Sequence, residues 1–272
     1  WEKFYLDSES KISNSYVAPA DSSRFSPRHN QRLVYSTVKL SPDGTKVAYA
    51  ENDRGKYVVK VKSLQNGKET TIINDGNKVI DQTVDYRMPL ISWADENTLG
   101  VIAPKKGDYV FWLYDLNTRS KIPRELDRFS NIRSLDFSGN GRLVVISADL
   151  GGQNDLFLIS SRNDRTRRLT NDLYDDFDPA FIPNTNTIIF SSNRAIDTVN
   201  TIVKDYRKIT QNFNLFTFNL DSTTNVVQRI TNTVSKDYAP TALDDNTFFY
   251  LSDQRGIVNL FKFDRLTGIY TQ

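Results

Sequence analysis

Short apolar segments separated by polar turns recur along most of this chain. One kind of segment is continuously apolar after its first residue, as in TIIF at 187–190, and such a strand is expected to be buried on both faces. The other kind alternates apolar with polar residues, as in YVVKVKS at 57–63, which is typical of a strand with one solvated face. No segment keeps a helical period over more than about ten residues. The pattern therefore predicts an all-β protein.

The same order of segments recurs five times. Each unit has a turn rich in Pro, Asp, Asn or Gly, then a buried segment, an alternating segment and a further short strand. Two copies that match well are RLTNDLYDDFDP at 168–179 and RITNTVSKDYAP at 229–240. Five four-stranded units at spacings of about 44 to 61 residues are typical of β-propeller blades, and a pair of β-sandwiches is the alternative. The units either close a five-bladed ring or form most of a six-bladed one.

Three stretches resemble a known repeat. They are LSPDGTKVAYAEND at 40–53, DPAFIPNTNTIIFSSNR at 178–194 and the R-(L/I)-T-N tail that ends two of the units. Together they resemble the WD40-like (PD40) repeat of TolB-type propellers, over about residues 32 to 272. Blades two and three match less well, with WADE and SGNG in place of SPDG. The resemblance implies a propeller, and similar repeats occur in tricorn-like proteins and in the propellers of prolyl-oligopeptidase-type enzymes.

The expected organisation is a TolB-like propeller over residues 31–272, preceded by an extension or a partial closing strand over residues 1–30. The chain begins WEKFYLDSES, with neither an initiator Met nor a signal peptide, so we expect it to be a piece of a longer multidomain protein. No apolar run approaches the roughly 18 residues of a membrane-spanning helix.

The composition argues against several classes of function. Lys and Arg number 35 against 33 Asp and Glu, and a net charge of +2 gives no electrostatic reason to expect nucleic acid. Cysteine is absent and the single histidine, His29, lies in a polar segment, so a histidine-based triad or a multi-histidine zinc site cannot form within the chain. Neither G-x-S-x-G nor a glycine-rich phosphate loop occurs. We therefore expect a protein that is not an enzyme and carries no cofactor.

Four aspartates crowd one turn between two units: Asp172, Asp175, Asp176 and Asp178. Only Asp176 recurs in the next copy, as Asp237, so we interpret the cluster as turn chemistry in which Asp176 accepts backbone N–H groups. A calcium site built from Asp172, Asp175 and Asp178 is the weaker alternative, since calcium prefers six to eight oxygen ligands. Paired-carboxylate catalysis has no substrate-binding context nearby.

Three arginines, Arg54, Arg194 and Arg255, occupy one place in three of the units. Either they pin the hairpin between the second and third strands against a neighbouring blade, or they line one face and meet an acidic partner. The basic run DRTRR at 164–168 is interpreted as a solvated hairpin end.

One unit carries an insertion of roughly 16 residues, between Arg194 and the strand that begins at Asn214. Such loops in a compact repeat are often functional. The stretch TIVKDYRKI at 201–209 has an apolar spacing that fits a short helix. The insertion either packs on its own blade or binds a partner, and the candidate partner-binding residues are Ile202, Val203, Tyr206, Arg207 and Lys208, together with the three arginines above.

Two classes of function fit these observations best. Resemblance to TolB implies a non-enzymatic scaffold that binds another protein, an envelope protein, in the bacterial periplasm or at the outer membrane. The alternative is a substrate-gating propeller of a larger peptidase, whose catalytic domain would lie in flanking sequence. Binding of a carbohydrate or another small ligand is a third hypothesis.

Overall fold

Twenty β-strands make up the computed structural model, which describes residues 33–80, 83–201, 207 and 209–271. Within those ranges Arg207 is the one helical position, in a 3₁₀ turn, and no helix is long and apolar enough to cross a membrane. The strands are β1 (Val34–Leu40), β2 (Lys46–Asp53), β3 (Lys56–Ser63), β4 (Glu69–Asp75), β5 (Leu90–Trp93), β6 (Thr98–Lys105), β7 (Asp108–Asp115), β8 (Lys121–Glu125), β9 (Asn131–Phe137), β10 (Leu143–Leu150), β11 (Gln153–Ser160), β12 (Thr166–Arg168), β13 (Asp176–Phe181), β14 (Thr187–Ser192), β15 (Asn214–Asn219), β16 (Gln228–Arg229), β17 (Asp237–Ala242), β18 (Thr247–Ser252), β19 (Asn259–Asp264) and β20 (Ile269–Thr271).

The strands form five four-stranded sheets, each an antiparallel meander of four consecutive strands. The first strands of successive sheets, β1, β5, β9, β13 and β17, contact one another in that order. This arrangement is a five-bladed β-propeller, which confirms the predicted fold class and excludes the pair of sandwiches. The prediction made for residues 1–30 lies outside the described residues.

Burial follows the two predicted kinds of strand in β14 and β3 but not in every blade. In β14 the side chains of Ile188, Ile189 and Phe190 are all fully buried, although they point alternately to opposite faces of the sheet. In β3 buried and half-buried residues alternate from Tyr57 onwards. The second strand β14 is therefore covered on both faces, and the third strand β3 has one face near solvent. Other strands depart from the prediction: the third strands β11 and β15 have runs of consecutive buried residues, and the second strand β18 alternates. Blades three and four contribute to an apolar cluster on each side, whereas blade five contributes to one.

The core lies between blades. Four apolar clusters fill the gaps between blades one and two, two and three, three and four, and four and five. Large aromatic side chains on third strands contribute to each cluster: Trp112, Phe157, Phe216 and Phe261. Each cluster is therefore an interface, or wedge, to which two neighbouring blades contribute one face each.

Hydrogen bonds reinforce the wedges where the second strand of one blade meets the start of the next. Ser147 Oγ donates to the carbonyl oxygen of Asp176 at 2.8 Å, and Ser191 Oγ donates to that of Asp237 at 2.5 Å. Asn52 Nδ2 donates to the carbonyl oxygen of Met88 at 2.8 Å. These side chains satisfy buried carbonyl groups that face a neighbouring blade instead of a strand partner.

The turn of blade three preserves the chemistry of SPDG although its sequence reads SGNG. In blade one Ser41 Oγ bonds Asp43 Oδ1 and accepts the backbone N–H of Lys46. In blade three Ser138 Oγ bonds Asn140 Oδ1 and accepts the N–H of Leu143. Gly44 and Gly141 follow with φ of 68° and 65°, a conformation that glycine adopts at little cost.

The close packing between blades two and three predicts that Gly100→Ala destabilises the fold. Gly100 lies in β6, and a Cβ there would sit 2.5 Å from Phe137 Cε2 and 3.0 Å from Phe111 Cε2. Overpacking of this kind costs about 1–3 kcal/mol of unfolding free energy, which urea denaturation would measure. Gly139→Ala is the matched control, because nothing lies within 4 Å of its Cβ position. Equal costs for the two variants would contradict this account of the wedge.

Candidate functional site

The blade-four insertion begins at a buried arginine. The Arg194 side chain is fully buried, and each of its three nitrogens donates a hydrogen bond. Its Nη2 lies 2.7 and 2.8 Å from the two carboxylate oxygens of Asp176. Its Nη1 lies 3.3 Å from Asp172 Oδ2 and 2.8 Å from the Thr198 carbonyl oxygen, and its Nε lies 3.1 Å from Ser192 Oγ. Arg194 therefore joins the entry of blade four to the first residues of the insertion.

The charges of this cluster stabilise one another away from water. Burial raises the pKa of Asp176, and the Arg194 guanidinium opposes that rise. Burial alone would lower the pKa of Arg194, but the two carboxylates hold it above its ordinary value. The guanidinium carbon also lies 5.4 Å from the centre of the Tyr174 ring. We conclude that Arg194 is a structural cation inaccessible to a partner, and we withdraw it from the candidate partner-binding set.

The strand register corrects the alignment of the three arginines. Asn193 Oδ1 accepts the N–H of Asp175, and Asp253 Oδ1 accepts that of Lys236 in the same way in blade five. Position 193 therefore corresponds to position 253, and Arg194 corresponds to Gln254 instead of Arg255. The turn between the first two strands is one residue longer in blade four, which shifts the match made on sequence alone. The insertion is accordingly one residue shorter than predicted.

The other two arginines are exposed. Arg54 Nε lies 3.3 Å from Asp53 Oδ1, and about half of the Arg54 side chain is accessible. Arg255 is exposed, and its guanidinium carbon lies 5.8 Å from the centre of the Phe261 ring. Both side chains stay in the candidate partner-binding set, although neither lies beside the insertion in sequence.

The three aspartates proposed for calcium do not share a site. Asp172 Oδ2 faces Arg194 and the backbone N–H of Asn200. Asp178 Oδ2 accepts the N–H of Ala239 at 3.2 Å, in the neighbouring blade. Across the described ranges no three His, Cys, Asp or Glu side chains gather in a way that could hold a metal ion. The expectation that Asp176 accepts backbone N–H groups was also wrong, because a buried guanidinium takes both of its oxygens.

The first part of the insertion is bound to the outer edge of blade four. The N–H of Val199 donates to the Asn225 carbonyl oxygen at 2.8 Å, and the N–H of Val227 donates to that of Asp197 at 3.0 Å. Val199 is buried in the cluster between blades three and four. This part of the insertion thus packs on its own blade. Of the predicted recognition residues, Ile202, Val203, Tyr206 and Lys208 lie outside the described residues, and Arg207 is exposed.

A polar groove of about 410 Å³ lies beside this anchored segment. Its lining includes Asp197, Thr210 and Asn212 from the insertion and Arg229 and Asn232 from the blade-four edge. Arg229 Nε lies 3.1 Å from Asp197 Oδ1, so the walls are joined by an ion pair. Backbone and amide groups of a peptide could form hydrogen bonds with such a lining.

A second cavity, also about 410 Å³, is lined by the first strands of several blades. It contains Lys39, Asp136 and Asp178, and burial raises the pKa of both aspartates. Asp136 Oδ2 accepts the N–H of Phe181 at 2.8 Å, across a blade boundary. Sequence reasoning missed Asp136, since its partner is distant along the chain and no repeated motif marks it.

Comparison with solved structures supports the fold. TolB from Acinetobacter baumannii matches with a TM-score of 0.65 and 15% identity, over 88% of this chain and 53% of that one. A protein described as TolB from Agrobacterium tumefaciens matches with a TM-score of 0.61 and 14% identity, over 88% and 80%. The β-propeller domain of the Trilobed protease from Pyrococcus furiosus matches with a TM-score of 0.53 and 12% identity, over 89% and 83%.

The structural neighbours are thus TolB-type and protease propellers, and at these identities the likeness shows the fold alone. The chain spans about half the length of the Acinetobacter TolB that it matches. No family model and no curated protein matches the sequence.

The buried cluster predicts that substitution by Met lowers the unfolding free energy much more at Arg194 than at Arg255. Arg194→Met leaves two buried carboxylates without their cation, which should cost about 3–5 kcal/mol of unfolding free energy. Arg255→Met changes an exposed position and should stay within about 0.5 kcal/mol of the parent. Chemical denaturation compares the two. Asp176→Leu added to Arg194→Met should restore part of the loss, whereas similar values for the two single variants would show that the cluster is not stabilising.

A neighbouring carboxylate predicts a pH dependence of stability. Asp155 is fully buried and bonded to Arg168, and burial raises the pKa of Asp155 to about 6 although Arg168 opposes the rise. The folded state therefore binds this proton more tightly than the unfolded state, whose Asp pKa is about 3.9. Its contribution to stability is present at low pH and is lost as the pH rises through about 6.

Asp155→Asn isolates this contribution. Between about pH 7 and pH 4.5 the unfolding free energy of the parent should rise relative to the variant, by at most about 3 kcal/mol. Urea denaturation at several pH values measures the difference. A constant difference across this range would rule out the titration of Asp155.

Proposed function

We propose that this chain is a non-enzymatic propeller scaffold that binds another protein through the blade-four insertion and the polar groove beside it. The observation that carries the proposal is the contrast within the described part of the insertion between residues 195–201 and Arg207. Residues 195–201 are fixed by Arg194, Asp172 and the blade edge, while Arg207 is exposed. Recognition residues of scaffolds commonly lie on loops that a rigid framework positions.

The groove supplies the chemistry that recognition of a protein needs. Its amide, hydroxyl and charged groups, from Asn212, Thr210 and Arg229, can pair with the backbone of an incoming segment. Val234, also on the lining, is almost fully exposed and offers apolar contact next to these polar groups. An apolar residue surrounded by polar ones is the usual composition of an interface.

The likeness to TolB-type propellers supports the rest of the proposal. By that likeness the partner is an envelope protein, and the site of action is the periplasm or the periplasmic face of the outer membrane. A scaffold needs no catalytic residue, which agrees with a chain that has one histidine and no cysteine.

A second candidate is the substrate-gating propeller of a larger peptidase. The cavity among the first strands favours it, because Asp136, Asp178 and Lys39 would meet any peptide that passed through the ring. The likeness to the propeller of the Pyrococcus protease is the other support. A peptidase catalytic domain in the flanking sequence of the full-length protein would favour gating over the scaffold.

The scaffold proposal predicts the effect of replacing residues 202–209 by a Gly-Ser segment of equal length. Arg194, Val199 and Asn200 are kept, so the melting temperature should stay unchanged. Capture of the partner from envelope extracts by the immobilised chain should fall strongly, because the interface side chains are gone.

The matched control replaces the exposed turn 65–68 of blade one by Gly-Ser residues. It should capture the partner as well as the parent does. If the 202–209 variant folds and captures the partner equally well, recognition lies elsewhere. A large fall in its melting temperature would make the loop structural.

A further inference from the structure

A cavity at the outer edge of blade three carries an excess of positive charge. Its volume is about 660 Å³, the largest of the cavities described above. Three arginines line it, Arg128 from the link between β8 and β9 and Arg165 and Arg167 from the hairpin that ends in β12. Asp164 is the one carboxylate in this lining. The whole chain has a net charge of only +2, so this excess is local.

The three guanidinium groups are available to a ligand. Arg128, Arg165 and Arg167 are exposed, and none of them forms an ion pair with a carboxylate in the part of the chain that the structure describes. Some other arginines are compensated, as Arg194 is by two aspartates and Arg133 by Asp149. Uncompensated guanidiniums around a concave surface are suited to an oxyanion, which they bind in pairs of parallel hydrogen bonds.

The hairpin that carries Arg165 and Arg167 is held in place by another arginine. Arg124, on β8 of blade two, donates through Nη1 to the carbonyl oxygens of Ser160, at 2.6 Å, and Asn163. Its Nε lies 3.9 Å from Asp164 Oδ1, a carboxylate that is almost fully exposed. Burial lowers the pKa of Arg124, and the nearby charge of Arg128 lowers it further while Asp164 opposes this. The hairpin is thus pre-positioned, and its single carboxylate compensates the cations only weakly.

The remaining lining is apolar. Leu158 lies opposite Arg167 in the pairing of β11 with β12, and both Leu158 and Leu143 are half-buried. These leucines pack against the cluster between blades three and four, so they form a fixed floor. A small inorganic anion would leave that floor uncovered.

We propose that this cavity binds a small anionic ligand in which a phosphate or sulfate group is attached to an apolar body. Arg165 and Arg167 bind the anionic group, Arg128 adds a third positive charge, and Leu143 and Leu158 contact the apolar body. The proposal does not depend on the proposed scaffold function, since the cavity is on blade three and the insertion is on blade four. The basic run at 164–168, interpreted from sequence as a solvated hairpin end, is in this proposal a binding element.

The test uses 1-naphthyl phosphate as the probe, titrated calorimetrically into the full chain at low and at high salt. Binding should weaken roughly tenfold to a hundredfold in Arg165→Gln/Arg167→Gln, because two charge-assisted contacts are removed. It should also weaken with salt, since the cations are exposed. Arg265→Gln, an exposed arginine of blade five whose side chain donates to Gln228, is the control and should bind as the parent does. Melting temperatures of both variants check that they fold.

Two further probes test the two halves of the ligand. Inorganic phosphate should bind more weakly than 1-naphthyl phosphate, and 1-naphthol should not bind, because each lacks one half. Sedimentation with vesicles of phosphatidylcholine and phosphatidylglycerol then distinguishes a lipid headgroup from a soluble ligand. If the parent binds vesicles and Arg165→Gln/Arg167→Gln does not, the ligand is a lipid headgroup. If the parent does not bind vesicles, the ligand is soluble.

Three results would overturn the proposal. They are no binding of 1-naphthyl phosphate at millimolar concentration, equal binding by the double variant and the parent, and an equal loss in Arg265→Gln. Equal affinities for inorganic phosphate and 1-naphthyl phosphate would show that Leu143 and Leu158 do not contact the ligand, and would overturn the inference that the ligand has an apolar body.

Discussion

The packing of one blade against the next is the interaction on which the rest of this structure depends. The second strand of a blade is apolar on both faces, as Ile188, Ile189 and Phe190 show, so a single sheet cannot keep it from water. Only a neighbouring blade on each side can do so. The four interblade clusters are the result, and the turns, bulges and insertions are arranged around them. Stability in such an array comes from interfaces between repeats.

The entry of blade four shows how a repeat position changes its chemistry with its neighbours. Asp176 and Asp237 occupy the same place, and both are fully buried. In blade four Arg194 bonds Asp176 and Asp172 there, and it also donates to the Thr198 carbonyl oxygen of the insertion. In blade five Thr233 replaces Asp172 and donates to Asp237 Oδ2, while Asp237 Oδ1 has no hydrogen-bond partner among the described residues. The buried cation is therefore bonded directly to the first residues of the insertion, since Arg194 donates to the Thr198 carbonyl oxygen.

The sequence predicted the fold well and the site only in part, for a physical reason. Strand type depends on local periodicity, so the five blades and the burial of β3 and β14 could be read directly. Register depends on turn length. Because the blade-four turn is one residue longer, the sequence comparison aligned Arg194 with Arg255, whereas its structural counterpart is Gln254. Asp136 and Arg124 act across blade boundaries, where no local pattern marks them. The eroded SGNG turn was underestimated, because Asn140 performs the hydrogen bonding of Asp43.

Access to water and the presence of a carboxylate within reach together distinguish Arg194 from the two arginines of the basic hairpin. Arg194 has two such carboxylates and no access to water, so its charge is used within the fold. Arg165 and Arg167 have access to water and no ion pair in the described chain, so their charge is free for a ligand. A nearly neutral total charge hides this difference, because 33 acidic residues are distributed unevenly around 35 basic ones. In a propeller whose repeats are used for packing, we expect recognition where the chain departs from the repeat or exposes uncompensated charge. The two places proposed for this chain are the anchored insertion of blade four and the basic hairpin of blade three.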